Sequence, residues 1–379
     1  MLHNNKKLFE QFPSNYINDI NGWGFSKKEI RLNKGKLLTL DIDYGLSCSL
    51  NCPLCFRKGL SSNLKNSRKI NKTDFYRIIN EAKELGIRSV KFLGAGEPFE
   101  NKDFIEILEF LRSKNIIPLV FTNGTVLGDD LLARKYFSHI GIDNSKQLVG
   151  KIKELDVSIM LKYNSSEDDV QNKLVGCTNG YNYSYYRNIA LKNLIDFGFN
   201  DKNYNPTRLA LAVNPITQEN ISEAFEIYKW ARLQNIYAIV TPTMISGRAG
   251  GNGWHKSLPS KEEIIKLYTK INDFNISVGI SSIEQLKNDG ISAYAGGHPC
   301  NQVACGLYIS LNGTVFSCPG DDTKVEGNIW ENSVKEIWNN SQNRLKRSGR
   351  FNCNCIAKDG KSIPKSLYVH VLSQLNHSL

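Results

Sequence analysis

Short apolar runs alternate with longer amphipathic stretches from the first strand-like segment to about residue 245. The runs LLTLDIDY (37–44), SVKFLGA (89–95), IIPLVFTNG (116–124), LDVSIMLKYN (155–164), RLALAVNP (208–215) and YAIVTPTM (237–244) read as strands. Between them, KTDFYRIINEAKEL (72–85) has helical spacing and closes on Gly86, which suits a left-handed helix end. DFIEILEFLRSK (103–114) repeats the pattern. ISEAFEIYKWARL (221–233) puts Ile221, Ala224, Phe225 and Tyr228 on one face. Six strand-then-helix units predict a parallel sheet covered by helices, either open or curled into a partial barrel. Chemistry on such a sheet collects at the C-terminal ends of the strands.

The texture changes near residue 250. GRAGGNGWHKS (247–257) is Gly-rich and reads as a linker or long loop. Farther on, CGLYISLNGTVFSC (305–318) alternates on either side of Asn312-Gly313, the pattern of a hairpin. GNIWENSVKEIW (327–338) reads as a turn and a short helix. These shifts divide the chain into an N-terminal extension (1–36), an α/β barrel (37–284), and a C-terminal module with its tail (285–379).

Composition narrows the class. The chain has 379 residues, 41% of them hydrophobic, and a formal net charge of +11. The charge is dispersed. Its densest stretch, 335–350, also holds Glu336 and several Asn, and its one aromatic, Trp338, does not make the repeated platform that stacks on single-stranded nucleic acid. A solvated basic surface is expected, and no nucleic-acid partner. No apolar run approaches a bilayer span, and the first residues lack the apolar core of a signal peptide. A cytoplasmic protein without a membrane partner is expected. In that compartment clustered thiols are more often metal ligands or redox groups than disulfides.

Nine cysteines are present, and three fall in CSLNCPLC after the first strand. Cys48, Cys52 and Cys55 are spaced C-x3-C-x2-C. Three thiolates on one loop leave a fourth metal position open, as a reactive site requires. Iron–sulfur clusters are held at such short spacings. Zinc and unligated thiols remain the alternatives.

CSLNCPLC resembles the signature of the radical S-adenosylmethionine (SAM) enzymes. The resemblance implies a four-iron four-sulfur (4Fe-4S) cluster on Cys48, Cys52 and Cys55, with SAM chelating its open iron. Leu54 stands where an aromatic is usual, with Phe56 just after. GAGEP (94–98) is similar to the family's GGEP. It implies close approach of Gly94 and Gly96 to SAM, and Glu97 as acceptor for its amino group. FTNG (121–124) is similar to the TNG that lines the SAM pocket, which brings in Asn123. KYNSSEDDVQNKLVG (162–176) runs in register with SLDGxxxxxHDxLRG. Lys162, Asn164 and Gln171 replace Ser, Asp and His there, and Lys162 becomes a candidate partner for the SAM carboxylate. Asn214, ending the fifth strand, is a candidate ribose contact.

Cys300, Cys318 and the Cys353–Cys355 pair, with four residues between Gly313 and Cys318, are similar to the SPASM and twitch extensions of the same family. Five C-terminal cysteines suffice for one auxiliary 4Fe-4S cluster. Cys300, Cys318, Cys353 and Cys355 are the expected ligands, and Cys305 is the substitute. A zinc knuckle is the alternative.

Together these imply a partial (β/α)6 TIM-like barrel with an auxiliary-cluster module. Its expected chemistry is reductive SAM cleavage and hydrogen abstraction from a substrate C–H bond, with electrons from a flavodoxin- or ferredoxin-type donor. Cys177 is a candidate hydrogen donor, and Tyr181, Tyr183, Tyr185 and Tyr186 are candidate pocket residues. The N-terminal 36 residues are too few for the peptide-recognition domain of some peptide-modifying relatives. That tilts the expected substrate to a small polar metabolite, such as a sugar or aminocyclitol, oxidised or epimerised at carbon. Modification of a peptide or protein side chain is the alternative. A non-catalytic zinc or electron-transfer protein is the reading from another class.

Overall fold

A computed structural model describes residues 19–57, 67–177, 180–251, 253–351 and 355–377. Six strands follow one another in parallel: β1 (Thr39–Ile42), β2 (Ser89–Phe92), β3 (Ile117–Thr122), β4 (Ser158–Lys162), β5 (Leu209–Ile216) and β6 (Tyr237–Pro242). Three more complete the sheet: β7 (Gly306–Ile309), β8 (Thr314–Cys318) and β9 (Asp321–Asn328). The order is β6-β5-β4-β3-β2-β1-β7-β8-β9. β7 pairs in parallel with β1, Leu40 opposite Leu307, and β8 and β9 fold back antiparallel. The C-terminal hairpin therefore extends the barrel's own sheet.

Helices cover the outer face because their apolar stripes match it. The helix Phe104–Ser113 buries Phe104, Ile105, Ile107, Leu108 and Leu111 at helical spacing. Each such side chain contributes about 1.5–3 kcal/mol when fully buried. The helix Lys72–Glu84 opens on a capping box, in which Asn71 accepts from the Asp74 amide and Asp74 from the Asn71 amide. It ends before Gly86 at φ +101°. The helix Ile221–Leu233 buries Ala224, Ile227, Tyr228, Ala231 and Arg232, a stripe turned slightly from the expected one.

The inner face holds a second, smaller core. Leu119, Met160, Ala210, Ala212, Tyr237 and Ile239 point inward from β3 to β6 and meet Ile20 and Tyr294. Trp23 packs on Phe121 and Tyr294 at ring distances of 5.8 and 5.6 Å. Ile20 and Trp23 thus enter the barrel from the stretch before β1. The outer edge of β6 is covered by 293–295, where the Ala295 amide donates to the Val240 carbonyl (2.9 Å).

The sequence reading differs in three places. β9 has no apolar alternation because it is an edge strand, with Val325 63% exposed. The short helix is Val334–Asn340, begun by a Ser333/Glu336 capping box, and residues 327 and 328 belong to β9. Beyond the Gly-rich stretch lies the helix Lys261–Ser277, started by Ser260 and Glu263.

Candidate functional site

The loop from β1 carries Cys48, Cys52 and Cys55, and its backbone is pinned from four directions. Glu100 accepts from the Ser47 hydroxyl and the Ser49 amide, both at 2.8 Å. The Asn51 amide donates to Val175 (3.2 Å) and the Arg248 amide to Cys55 (2.9 Å). The Arg248 guanidinium donates to the Cys52 carbonyl (3.2 Å) and the Ser246 hydroxyl to Phe56 (2.8 Å). The Gly-rich stretch expected to be a linker instead clamps the cysteine loop.

Glycines allow the close packing. A Cβ on Gly96 would lie 2.2 Å from the Ser47 carbonyl oxygen, and one on Gly176 2.4 Å from that of Asn51. Neither position admits a side chain without moving backbone.

Glu97, buried at the end of the β2 loop, accepts from the Thr122 hydroxyl (2.6 Å) and the Asn123 amide (2.7 Å). Burial pushes its carboxyl up to about 7, against the pull of those hydrogen bonds. The Asn123 side-chain oxygen is taken by Thr125, and its amide nitrogen lies 4.0 Å from the Cys48 sulfur.

One cavity of about 200 Å³ is lined by Cys48, Cys52 and Cys55 and by every residue expected to bind SAM: Gly94, Gly96, Glu97, Asn123, Lys162 and Asn214. Leu54 and Phe56 line it too. The same cavity reaches Cys300 and Cys318. Its floor carries charges that motif reading missed. Lys91 lies 3.1 Å from Asp41 and donates to Gln302 (2.7 Å). Asp43 accepts from Arg57 (2.7 Å) and from the Tyr308 hydroxyl (2.6 Å), and Arg57 also contacts that hydroxyl. Charged residues inside the strand-like runs TLDID and SVKF were the available signal.

Three of the C-terminal cysteines form a second group. Cys318 and Cys355 are buried and Cys300 half-buried. Burial pushes the Cys300 thiol up to about 12 and those of Cys318 and Cys355 upward, and charge on neighbouring thiols adds to the first two. Each sulfur accepts from backbone amides: Cys300 from Gln302, Cys318 from Gly320 (3.5 Å), and Cys355 from Ala357 and Lys358. Cys353 lies outside the described residues.

Two candidate residues lie outside the cavity lining. Cys305 packs with Phe25, Ile30, Leu38 and Phe351 in a separate core, and its thiol donates to the Asn301 carbonyl (3.3 Å). The start of β7 turns it away from the other thiols. Cys177 does not line the cavity. It follows Gly176 and packs beside Cys48, Cys52 and Tyr181, which places it behind the cysteine loop. The tyrosines do not line the cavity either. Tyr183 is buried and donates to the Asn123 carbonyl (2.8 Å), Tyr181 stacks on Tyr186, and Tyr185 is 56% exposed. Gln171 accepts from the amides of Asn164 (2.8 Å) and Ser165 (3.1 Å), so it shapes the turn after β4.

Both thiol groups fit iron–sulfur clusters. Among the described residues no three His, Cys, Asp or Glu side chains converge on a point that would hold a single ion. A four-iron cluster spreads its thiolates over several irons. Cys48, Cys52 and Cys55 face one space beside a buried carboxylate. The buried thiols become tolerable as thiolates when metal charge offsets them, and the amides aimed at their sulfurs act the same way.

Comparison with known proteins agrees. Residues 42–182 match the model of a 4Fe-4S single cluster domain, and 300–358 that of the SPASM iron–sulfur cluster-binding domain. A probable GTP 3',8-cyclase of Pyrococcus abyssi is 38% identical over 88 residues, which are 23% of this chain and 28% of that protein. The match therefore spans under a third of that relative's length. The mycofactocin maturase MftC of Mycolicibacterium smegmatis is 23% identical over 310 residues, 80% of this chain and 70% of its own. Among solved structures, native anSMEcpe with bound AdoMet superposes with a TM-score of 0.59 at 14% identity, covering 90% of this chain and 96% of that one. Streptococcus suis SuiB bound to its precursor peptide SuiA gives 0.55 at 16%, covering 91% and 72%. These structural likenesses establish the fold. No helix among the described residues is long and apolar enough to cross a membrane.

Proposed function

With the chain a member of the radical SAM family bearing a SPASM domain, we propose that it is a maturase acting on a peptide or protein. The observation that carries this is the mycofactocin maturase, which aligns over 80% of the chain. The small-metabolite substrate expected from the sequence has no comparable support, and the peptide alternative replaces it.

Cys48, Cys52 and Cys55 would hold the 4Fe-4S cluster that binds SAM, and Cys300, Cys318 and Cys355, with Cys353, the auxiliary one. When bound, the first cluster and SAM supply a 5′-deoxyadenosyl radical able to take hydrogen from a C–H bond. The chain's own residues do the positioning. Glu97, fixed by Thr122 and Asn123, presents a carboxylate for the SAM amino group. Gly94 and Gly96 let backbone approach it, Lys162 offers a cation for its carboxylate, and Asn214 a polar contact for its ribose. The Asp41–Lys91 and Asp43–Arg57 pairs offset one another's charge, beside an apolar wall of Trp23, Phe121, Met160, Ile239 and Tyr294 that excludes water. An acidic, low-potential flavodoxin- or ferredoxin-type protein is the proposed electron donor.

The test is 5′-deoxyadenosine release by anaerobically reconstituted protein supplied with SAM and dithionite. Wild type is compared with the Cys48→Ala/Cys52→Ala/Cys55→Ala variant, which should release none. Release should rise with the peptide fraction of the source organism's extract, and protease digestion of that fraction should remove the rise. Stimulation by the small-metabolite fraction alone, insensitive to protease, would return the substrate to the small-molecule class.

A further inference from the structure

Lys358 is fully buried, three residues after Cys355. Its ammonium donates to the Thr241 hydroxyl on β6 (2.6 Å) and sits 4.6 Å from the centre of the Tyr294 ring. Neither partner is an anion. Thr241 in turn donates to the Ala293 carbonyl (2.8 Å), so its hydroxyl proton is already placed and its lone pair faces the lysine. A buried ammonium is retained where negative charge compensates it.

The charges acting on Lys358 identify the compensation. Burial pushes its ammonium down to about 8, and against that push Cys355, Cys300 and Cys318 act on it in that order, ahead of Asp359. Asp359 is engaged elsewhere, accepting from the Tyr368 hydroxyl (2.6 Å), and burial raises its carboxyl. Among the described residues, the other groups whose negative charge acts on Lys358 are the three thiols. Lys358 also contributes its backbone amide to the Cys355 sulfur. The lysine and the sulfurs thus share one buried, low-dielectric pocket, with Tyr294 and Cys300 facing the cavity.

We infer that Lys358 is a built-in countercharge for the cluster held by Cys300, Cys318 and Cys355, and that it makes that cluster easier to reduce. This rests on the auxiliary-cluster reading above. Reduction adds one negative charge to an already anionic thiolate-bound cluster, and a fixed cation beside it stabilises the reduced form more than the oxidised one. Net charge and hydrogen bonds to sulfur are among the factors that set such potentials. Lys358 acts through the cluster, so it is a positioning residue.

The experiment uses the full chain carrying Cys48→Ala/Cys52→Ala/Cys55→Ala, so that only the auxiliary cluster is loaded. Its reduction is followed by electron paramagnetic resonance during an anaerobic redox titration. Lys358→Gln keeps a donor for Thr241 and removes the charge, and Lys358→Arg keeps the charge. At a fixed poise the reduced-to-oxidised ratio should fall at least tenfold in Lys358→Gln, which is about 59 mV for a one-electron couple. It should stay within about threefold of the parent in Lys358→Arg, since the charge is retained. A Lys358→Gln curve that overlays the parent's overturns the inference, as does a Lys358→Arg curve that overlays that of Lys358→Gln. Should Lys358→Gln not load iron, iron content decides. Loading restored by Lys358→Arg supports a charge requirement, and failure of both variants assigns Lys358 to packing. A parent without iron overturns the cluster reading itself, and the inference with it.

Discussion

Glu97 gives the site a pH dependence whose sign and size follow from its surroundings. Its carboxyl is pushed from an ordinary 4.5 up to about 7, chiefly by burial. At 1.36 kcal/mol per tenfold change in proton affinity, that is about 3 kcal/mol favouring the protonated form in the folded chain. A raised acid is bound to its proton more tightly when folded. Its contribution to stability is therefore complete below pH 4.5 and is lost as pH rises to about 7. The unliganded protein should lose up to about 3 kcal/mol over that window relative to Glu97→Gln. If Glu97 accepts from the SAM amino group as proposed, SAM binding runs the other way, because that amino group needs the carboxylate. With a midpoint near 7, roughly one Glu97 in eleven is ionised at pH 6 and ten in eleven at pH 8. The dissociation constant for SAM should be about tenfold higher at pH 6 than at pH 8, or about 1.4 kcal/mol. Calorimetry on anaerobically reconstituted protein measures it. Glu97→Gln should bind more weakly at pH 8 by about 1.5–3 kcal/mol, the worth of a charged hydrogen bond, and with a flatter profile. Any slope left in the variant reports the ligand's own amino group. A flat wild-type profile, or an equal slope in Glu97→Gln, would refute the assignment.

Gly96→Ala should cost about 1–3 kcal/mol, because its Cβ meets the Ser47 carbonyl at 2.2 Å, and should lower iron loading at the first site. Iron analysis and thermal melts measure the two effects. Cys305→Ala should keep full iron content and lose roughly 1–2 kcal/mol from its separate core, whereas Cys318→Ala should lose auxiliary iron. Equal iron loss in both would return Cys305 to the ligand set. A chain ending at residue 284 should fail to unfold cooperatively and should not hold iron at Cys48, Cys52 and Cys55. Removing β7 strips the hydrogen-bonded partner of β1 and leaves Asp43 and Arg57 without Tyr308. A soluble fragment with about four irons would show that the modules are independent.

Much of the barrel was legible because its strands are buried on both faces and its helices on one. Those patterns survive in a single sequence. The residues that face the cavity were legible because they sit in short motifs at strand ends. What escaped is non-local. Arg248 reads as part of a flexible Gly-rich stretch, yet its contact with Cys52 spans 196 residues. Lys358 reads as one of many surface lysines, and only the fold puts it against Thr241, 117 residues away. The charges of Asp41 and Lys91 were visible inside strand-like runs, but their pairing needed the register of β1 and β2, where they are direct partners. Cys177 shows the same limit. Its position after β4 suggested the barrel mouth, while Gly176 packs on Asn51 and the half-buried thiol lies beside Cys48 and Cys52, outside the cavity lining.

The parallel pairing of β1 with β7 has the largest functional consequence. A barrel sheet that stopped at β1 would end in an open edge beside the cysteine loop. Instead β7 takes that edge, with the Leu38 amide donating to the Cys305 carbonyl and the Asp43 amide to Ile309. The chain entering β7 carries Cys300 into the cavity, and the chain leaving β8 carries Cys318 there. Arg57, two residues after Cys55, spans the junction by contacting Asp43 after β1, Tyr308 on β7 and the Pro319 carbonyl beside Cys318. Asp43 and Arg57 are both buried, so removing either would leave an uncompensated charge at a cost of about 3–5 kcal/mol. That cost holds the two thiol groups in one fixed relation. The cavity opens on both, because the sheet that builds the first site also builds the wall containing the second.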